Sequence, residues 1–278
     1  MRAATLLTDV GTADYYVAAV KGTLLRLAPG ATLVDVTHET APGDVEDAAF
    51  LLAAAARWFP AGTVHLAVVD PGVGGARRIL AAEAAAGGYL VAPDNGLLTP
   101  FLDGAPAAWG APAGRFPPEV RAVERDGLFL PGPGATFHGR DRFAPVAAWL
   151  LRGEPLAALG PVVDDAVRLP WTPPRAEGEP PRPGAAGAAL HGRVARVDRF
   201  GNLVTDLPSE WAGDGPLVAE VAGSSTRHRA THYRDVPPGR AAVLPGSLGT
   251  LELALDRASL AARWGVERGA AVTVRLLP

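Results

Sequence analysis

Along the first 150 positions, short apolar runs alternate with stretches whose apolar residues recur three and four apart. The runs at 3–7, 32–36 and 64–69 have strand length, and the helical spacing falls between them at 15–27 and 45–58. Such alternation predicts a parallel sheet covered by helices. Shorter runs at 79–82 and 89–92 add strands, and a helix over about 141–151 closes this half. Asp14 and Asp44 each stand just before a helical stretch and are expected as N-caps. Glu46 and Asp47 fall in the first turn of the second helix, where the dipole favours acids.

The pattern then changes. Six of the fourteen residues from Pro170 to Pro183 are proline, so neither a helix nor a central strand can run through them. Beyond this linker come short strands at 193–197, 203–206, 217–221, 226–230, 241–244, 251–255 and 272–276, interrupted only by a helical turn or two at 258–264. Short strands joined by turns predict a small antiparallel barrel. The fold class expected is therefore α/β: a Rossmann-like parallel-sheet domain over 1–165, a Pro-rich linker over 166–188 and an antiparallel β-barrel domain over 189–278. No internal repeat is seen.

Composition narrows the function. The chain has 278 residues, 48% of them hydrophobic, enough for one large core or two modest ones, and a net charge of -3 gives no basic stripe for nucleic acid. With no cysteine there are no disulfides and no thiolate metal sites, which fits a cytoplasmic protein. The first apolar run is broken by Asp9, unlike a signal peptide, and no stretch reaches the roughly 18 apolar residues of a membrane span. None of the six histidines has metal-ligand spacing, so no metal is expected.

Candidate chemistry gathers where apolar runs end, the place α/β proteins put ligands. Asp9 follows the first strand, where a carboxylate can accept both hydroxyls of a ribose; an Asx-turn or a helix cap is the alternative. Asp70 opens Pro71-Gly72-Val73-Gly74, and Arg77 returns seven residues later. The two predict either a charge-assisted pair in a crevice or a structural ion pair at a hairpin neck. Because a strand follows, Gly72-Val73-Gly74 is a poor dinucleotide fingerprint. His138, flanked by Phe137 and Gly139 at a helix start, is a structural donor or a catalytic group. Asp198-Arg199-Phe200-Gly201-Asn202 is a hairpin turn, or a place where Phe stacks on a base and Asn reads its edge. Ser247-Leu248-Gly249-Thr250-Leu251-Glu252 is equally ambiguous.

Together and in this order, the strings resemble the family of S-adenosyl-L-methionine (SAM) hydrolases that form adenosine, the SAM hydroxide adenosyltransferases. The resemblance covers nearly the whole chain. It is carried by Leu6-Leu7-Thr8-Asp9, Val34-Asp35-Val36-Thr37-His38, Phe59-Pro60-Ala61-Gly62-Thr63-Val64-His65, Val68-Val69-Asp70-Pro71-Gly72-Val73-Gly74, Ala92-Pro93-Asp94-Asn95-Gly96, Phe137-His138-Gly139-Arg140-Asp141 and the Asp198–Asn202 string. SAM-dependent fluorinases and chlorinases are similar in fold. In them the position matching Asp70 looks like a tyrosine, and the partners matching Arg77 and His138 are absent. Gly139 matches a glycine of the chlorinase type, and Val10 and Gly43 depart from the usual pattern.

The resemblance implies hydrolysis of SAM to adenosine and L-methionine, with SAM as substrate and no cofactor. Asp70, Arg77 and His138 would position a water for in-line attack on C5′. Asp9 would hold the ribose diol, with Asn95 near the same pocket. Phe200, Asn202 and Tyr233 would enclose adenine, helped by the Leu255 backbone, with Ser247 and Glu252 in the same wall and Asp198 facing the methionine amine. The family's sites lie between subunits of a homotrimer. The alternatives are a chlorinase-like halogenase and a non-catalytic adenosine- or SAM-binding protein, which would need no Asp70, Arg77 and His138 trio.

Overall fold

The computed structural model describes residues 2–83, 87–102, 119–131, 136–177 and 187–278. They divide into two compact units, one reaching Pro170 and the other starting at Trp171. Of the linker expected over 166–188, residues 178–186 lie outside the described residues.

The first unit is built on a six-stranded sheet. Its strands are β1 (Ala3–Thr8), β2 (Thr32–Thr37), β3 (Val64–Val68), β4 (Ile79–Glu83), β5 (Tyr89–Pro93) and β6 (Val120–Ala122), in the spatial order β2-β1-β3-β5-β4-β6. The block from β2 to β5 is parallel, as the strand–helix alternation predicts. β4 runs antiparallel to both β5 and β6. The physical reason is length: only 84–88 separate β4 from β5, too few residues for the crossover that a parallel pair requires.

Helices α1 (Tyr16–Leu27) and α4 (Ala144–Leu151) cover the sheet face that presents Ala4, Leu6, Val64 and Leu66. Helix α2 (Val45–Ala56) also packs on β1 and β3, but its buried Ala49, Phe50 and Ala53 stand outside that cluster, which puts it on the other face. Asp44 caps α2 as expected, its carboxylate accepting from the Asp47 amide at 3.0 Å. Asp14 does not cap α1. That helix starts one residue later, behind Tyr15, with no side-chain cap. A four-residue helix α3 (Thr99–Leu102) follows β5. The helix expected at 141–151 begins instead as a π-helical turn, Gly139–Phe143, before the regular turns of α4.

The strand order decides where a ligand can sit. The chain leaves β1 for β2 on one side and returns to β3 on the other, so the crossovers diverge at the carboxyl ends of β1 and β3, the switch point where open α/β sheets form a crevice. Asp9 and Asp70 stand at these two ends.

The second unit is a nine-stranded, almost wholly antiparallel sheet. Its strands are β7 (Arg175–Ala176), β8 (Ala189–Val197), β9 (Leu203–Pro208), β10 (Leu217–Val221), β11 (Ser224–Thr226), β12 (His228–Arg229), β13 (Ala241–Pro245), β14 (Thr250–Leu255) and β15 (Ala271–Leu276). The single strand expected at 226–230 is two, β11 and β12, which form opposite edges of the order β11-β10-β15-β8-β9-β14-β13-β12. Only Arg227 joins them, so the sheet has to curl round until its edges nearly meet, and it becomes a barrel. The Thr226 hydroxyl fastens the seam by donating to the Ala241 carbonyl at 2.5 Å. Leu190, Val194, Leu203, Leu253 and Val274 fill the interior, and a short helix α5 (Leu260–Trp264) packs with them.

Candidate active site

Three elements bring Asp70, Arg77 and His138 together. Asp70 follows the buried end of β3, and its loop turns tightly, with the Val73 amide donating to the Asp70 carbonyl at 3.1 Å and Gly75 to Gly72 at 3.0 Å. This returns Arg77 to the carboxylate, where its Nε donates to Asp70 Oδ2 at 2.8 Å and its Nη2 makes a second, closer contact with the same oxygen. Nη2 also donates to His138 Nδ1 at 2.8 Å. The guanidinium lies over the Phe143 ring at 5.0 Å, which fixes its plane.

The pair at a hairpin neck is therefore not what forms. Asp70 and Arg77 are both well buried, they do not bracket a hairpin, and Arg77 carries a third group.

This bonding fixes a tautomer. A guanidinium has donors and no acceptor, so His138 Nδ1 is the acceptor, and the ring proton sits on Nε2. Burial, and after it the charges of Arg142 and Arg77, lower the His138 pKa and keep the ring neutral, against a smaller opposing pull from Asp70 and Asp141. Within this trio, two polar atoms then remain buried without a partner among the described residues: Asp70 Oδ1, an acceptor, and His138 Nε2, a donor.

Both residues line a cavity of about 170 Å³, together with Asp9, Thr8, His38 and apolar Leu6, Val17, Val20, Leu66 and Val68. Asp9 is neither an Asx-turn nor a helix cap. Its Oδ2 crosses to the Gly43 amide at 2.8 Å, thirty-four residues on. Asn95 stands outside this cavity lining. Its Nδ2 donates to the Val69 carbonyl at 2.9 Å and its Oδ1 accepts from the Leu97 amide, so it steadies the backbone immediately before Asp70.

In the second unit the Asp198–Asn202 string is a turn and also a wall. Asp198 Oδ1 accepts from the Phe200 and Asn202 amides at 2.9 and 2.8 Å, and Oδ2 accepts from Asn202 Nδ2 at 2.9 Å. The carboxylate thus shapes the loop, leaving the Phe200 ring exposed and Asn202 buried. Both line an open hollow of about 920 Å³ with Tyr233, Leu255 and Ser259. The Tyr233 hydroxyl donates to Glu252 Oε2 at 2.9 Å. Burial, with Glu252 behind it, raises the tyrosine pKa, and burial raises that of Glu252. Glu252 therefore backs the wall, and Ser247 stands exposed outside the hollow's lining.

Sequence reasoning passed over Ser259, Arg234 and Arg257, which also line this hollow. Ser259 was detectable as an N-cap before a short helical run, and its hydroxyl does accept from the Ala262 amide at 3.0 Å. The arginines carried no such signal. Among the described residues, no group of three or more His, Asp or Glu stands where it could hold a metal ion, and no helix is long and apolar enough to cross a membrane.

Comparison with known proteins places the chain in a family. The N-terminal-domain model of the SAM hydroxide adenosyltransferases matches residues 4–160, and the C-terminal-domain model matches 192–273. A protein of Salinispora tropica named (R)-S-adenosyl-L-methionine hydrolase is 42% identical, over 94% of this chain and 93% of its own. One of the same name from Thermus thermophilus is 41% identical over the full length of both. A fluorinase of Actinoplanes sp. is a more distant relative, 29% identical over 96% of this chain and 95% of its own. Among solved structures, an uncharacterized conserved protein from Thermotoga maritima superposes with a TM-score of 0.84 at 32% identity, covering 99% of this chain and 100% of that one. The chain is an enzyme of the hydrolase class, and it belongs to the SAM hydroxide adenosyltransferase family.

Proposed function

We propose that this enzyme hydrolyses SAM to adenosine and L-methionine, holding the attacking water between Asp70 Oδ1 and His138 Nε2–H. The observation that carries the reading is the pair of orphaned polar atoms, one acceptor and one donor, on two side chains that line a cavity together with several aliphatic ones. A water there donates one proton to the carboxylate and accepts the imidazole N–H, leaving a lone pair for attack. The names of the relatives support SAM as substrate, and specifically its (R) sulfonium epimer.

The chemistry asks mainly for position. The sulfonium is already activated and leaves as a neutral thioether, so the protein orients one water behind C5′ and excludes the rest. Asp70 does not generate free hydroxide first, because a gap of roughly 12 pKa units between water and an ordinary Asp is about 16 kcal/mol. It takes the proton as the C–O bond forms, while Arg77 holds both Asp70 and His138 in place. Asp9 holds the ribose diol, while Phe200, Asn202 and Tyr233 receive adenine and Leu255 adds its backbone. Asp198 shapes that loop and faces the methionine amine. Asn95, Ser247 and Glu252 act from behind these contacts. A homotrimer that shares each site between subunits completes the reading.

The test is product identification. Purified enzyme is incubated with (R)- and (S)-SAM, with and without chloride or fluoride, and the products are separated by chromatography. Adenosine and methionine in equal amounts, unaffected by halide and abolished in Asp70→Asn, are expected. A 5′-halo-adenosine would make the enzyme a halogenase, and unchanged SAM would reduce it to a binding protein. The Asp70 carboxylate argues against halide, since its Oδ1 would repel an anion in the place a water occupies.

A further inference from the structure

We propose that His38 is a positioning residue: through Thr8 it fixes the loop that aims Asp9 at the ribose, an inference that rests on Asp9 holding the diol. The hydrolysis mechanism leaves His38 without a role, although it is 3% exposed and lines the cavity.

Its placement comes from an irregularity in the sheet. Pairing of β1 with β2 runs Leu6 to Asp35 and then Leu7 to Thr37, so Val36 is an extra residue in β2. A one-residue shift moves every later side chain to the opposite face, and such bulges re-aim side chains next to sites. Beyond this one, His38 Nδ1 comes within 2.8 Å of Thr8 Oγ1. Thr8 Oγ1 also accepts from the Val10 amide at 3.5 Å, so one hydroxyl joins His38 to the backbone beyond Asp9.

The histidine backbone works on the same loop. Its carbonyl accepts from the Gly11 amide at 2.7 Å, so the side chain and main chain of His38 hold Thr8 and Gly11, the residues on either side of Asp9 and Val10. On its far edge, Nε2 lies 3.1 Å from Asp35 Oδ1 without the alignment of a hydrogen bond, and Asp35 is tied to Lys21 Nζ at 2.6 Å. Among the described residues, the Asp9 carboxylate is fixed by one contact, to the Gly43 amide. The direction of its free oxygen therefore depends on how firmly the 8–11 loop is held.

The test compares adenosine with 2′-deoxyadenosine, by calorimetric binding to the full chain. Wild type should prefer adenosine, because only adenosine offers the hydroxyl pair. In His38→Gln, which lacks a group at the Nδ1 position, and in Thr8→Val, this preference should shrink about tenfold, while 2′-deoxyadenosine binding stays near wild type. His38→Asn and Thr8→Ser, which restore a hydrogen-bonding atom at each place, should recover most of the preference. Circular-dichroism melting checks that each variant is folded, and the near-isosteric Thr8→Val covers a failure of His38→Gln. Equal weakening of both ligands, or an unchanged preference in the folded variants, overturns the proposal. A wild type without any preference overturns the diol role of Asp9 itself, and the proposal with it.

Discussion

Arg77 Nη2 donates to His138 Nδ1 across 2.8 Å, and that one bond sets the chemistry of the crevice. The same guanidinium neutralises Asp70, so the two side chains that carry the orphaned acceptor and donor are both oriented by one residue. A lysine at 77 could supply charge but not the planar fork that reaches both partners.

His138 should carry its proton on Nε2 at pH 7, readable from the ¹⁵N shifts of the imidazole. Its pKa lies below the ordinary 6.5 because burial and two arginines oppose the charged form. The neutral fraction therefore persists as pH falls through the usual histidine range, and kcat/KM should decline only below it. Arg77→Gln removes one of those positive charges and leaves Asp70 unpaired beside the ring, so the titration should move to higher pH. A proton on Nδ1, or a midpoint unmoved by the substitution, would contradict this account.

Much of this site was legible in the sequence because its residues end strands. Asp9 and Asp70 follow apolar runs of strand length, and a strand–helix alternation already implies a crevice beyond the carboxyl ends. What stayed hidden depends on contacts remote in sequence. That Asp9 reaches across to Gly43, and that Arg77 bonds His138 sixty-one residues away as well as Asp70, are contacts no local pattern carries. The bulge at Val36 is a matter of register, which no single strand carries in its own pattern. The split of 226–230 into two edges likewise follows from barrel closure rather than local propensity.

His65 should make the first unit acid-sensitive. It is buried on β3 with Nδ1 2.8 Å from Thr5 Oγ1, and burial lowers its pKa to about 4. Above pH 6.5 both folded and unfolded chains keep it neutral. Between about 6.5 and 4 only the unfolded chain takes up the proton, so stability falls as pH falls, by up to about 1.4 kcal/mol per pH unit from this residue. Denaturant melts of wild type and His65→Gln across that window measure the difference. Parallel slopes would remove His65 as the cause.

Gly201→Ala should cost both stability and adenosine affinity. Gly201 has φ +82°, and a Cβ there would come 2.1 Å from Ser259 Oγ and 2.7 Å from Ser259 Cα, so the backbone of the Asp198–Asn202 loop would have to move off α5. The Gly201 carbonyl, which accepts from the Ala261 amide at 2.9 Å, would move with it. Overpacking of this kind costs about 1–3 kcal/mol. Gly239→Ala is the control, since φ is +68° there but nothing lies within 4 Å. Equal melting temperatures for the two variants would dismiss the packing argument.

The proposed trimer makes a prediction about mixtures. If each site takes Asp70 from one subunit and Phe200 with Asn202 from its neighbour, two crippled enzymes should complement one another. In a cyclic trimer every interface is head-to-tail, so the two walls of a site belong to different chains. Asp70→Ala lacks the water-holding carboxylate, and the double variant Phe200→Ala, Asn202→Ala lacks the stacking ring and the amide beside it. When equal amounts are denatured and refolded together, each wall is intact with probability about one half, so about one site in four is whole. Activity at low substrate should then recover to roughly a quarter of wild type. Each variant refolded alone should stay inactive, and native mass spectrometry should find mixed trimers. Mixed trimers without recovered activity would place the whole site within one chain, and a monomeric mass would remove the shared site altogether.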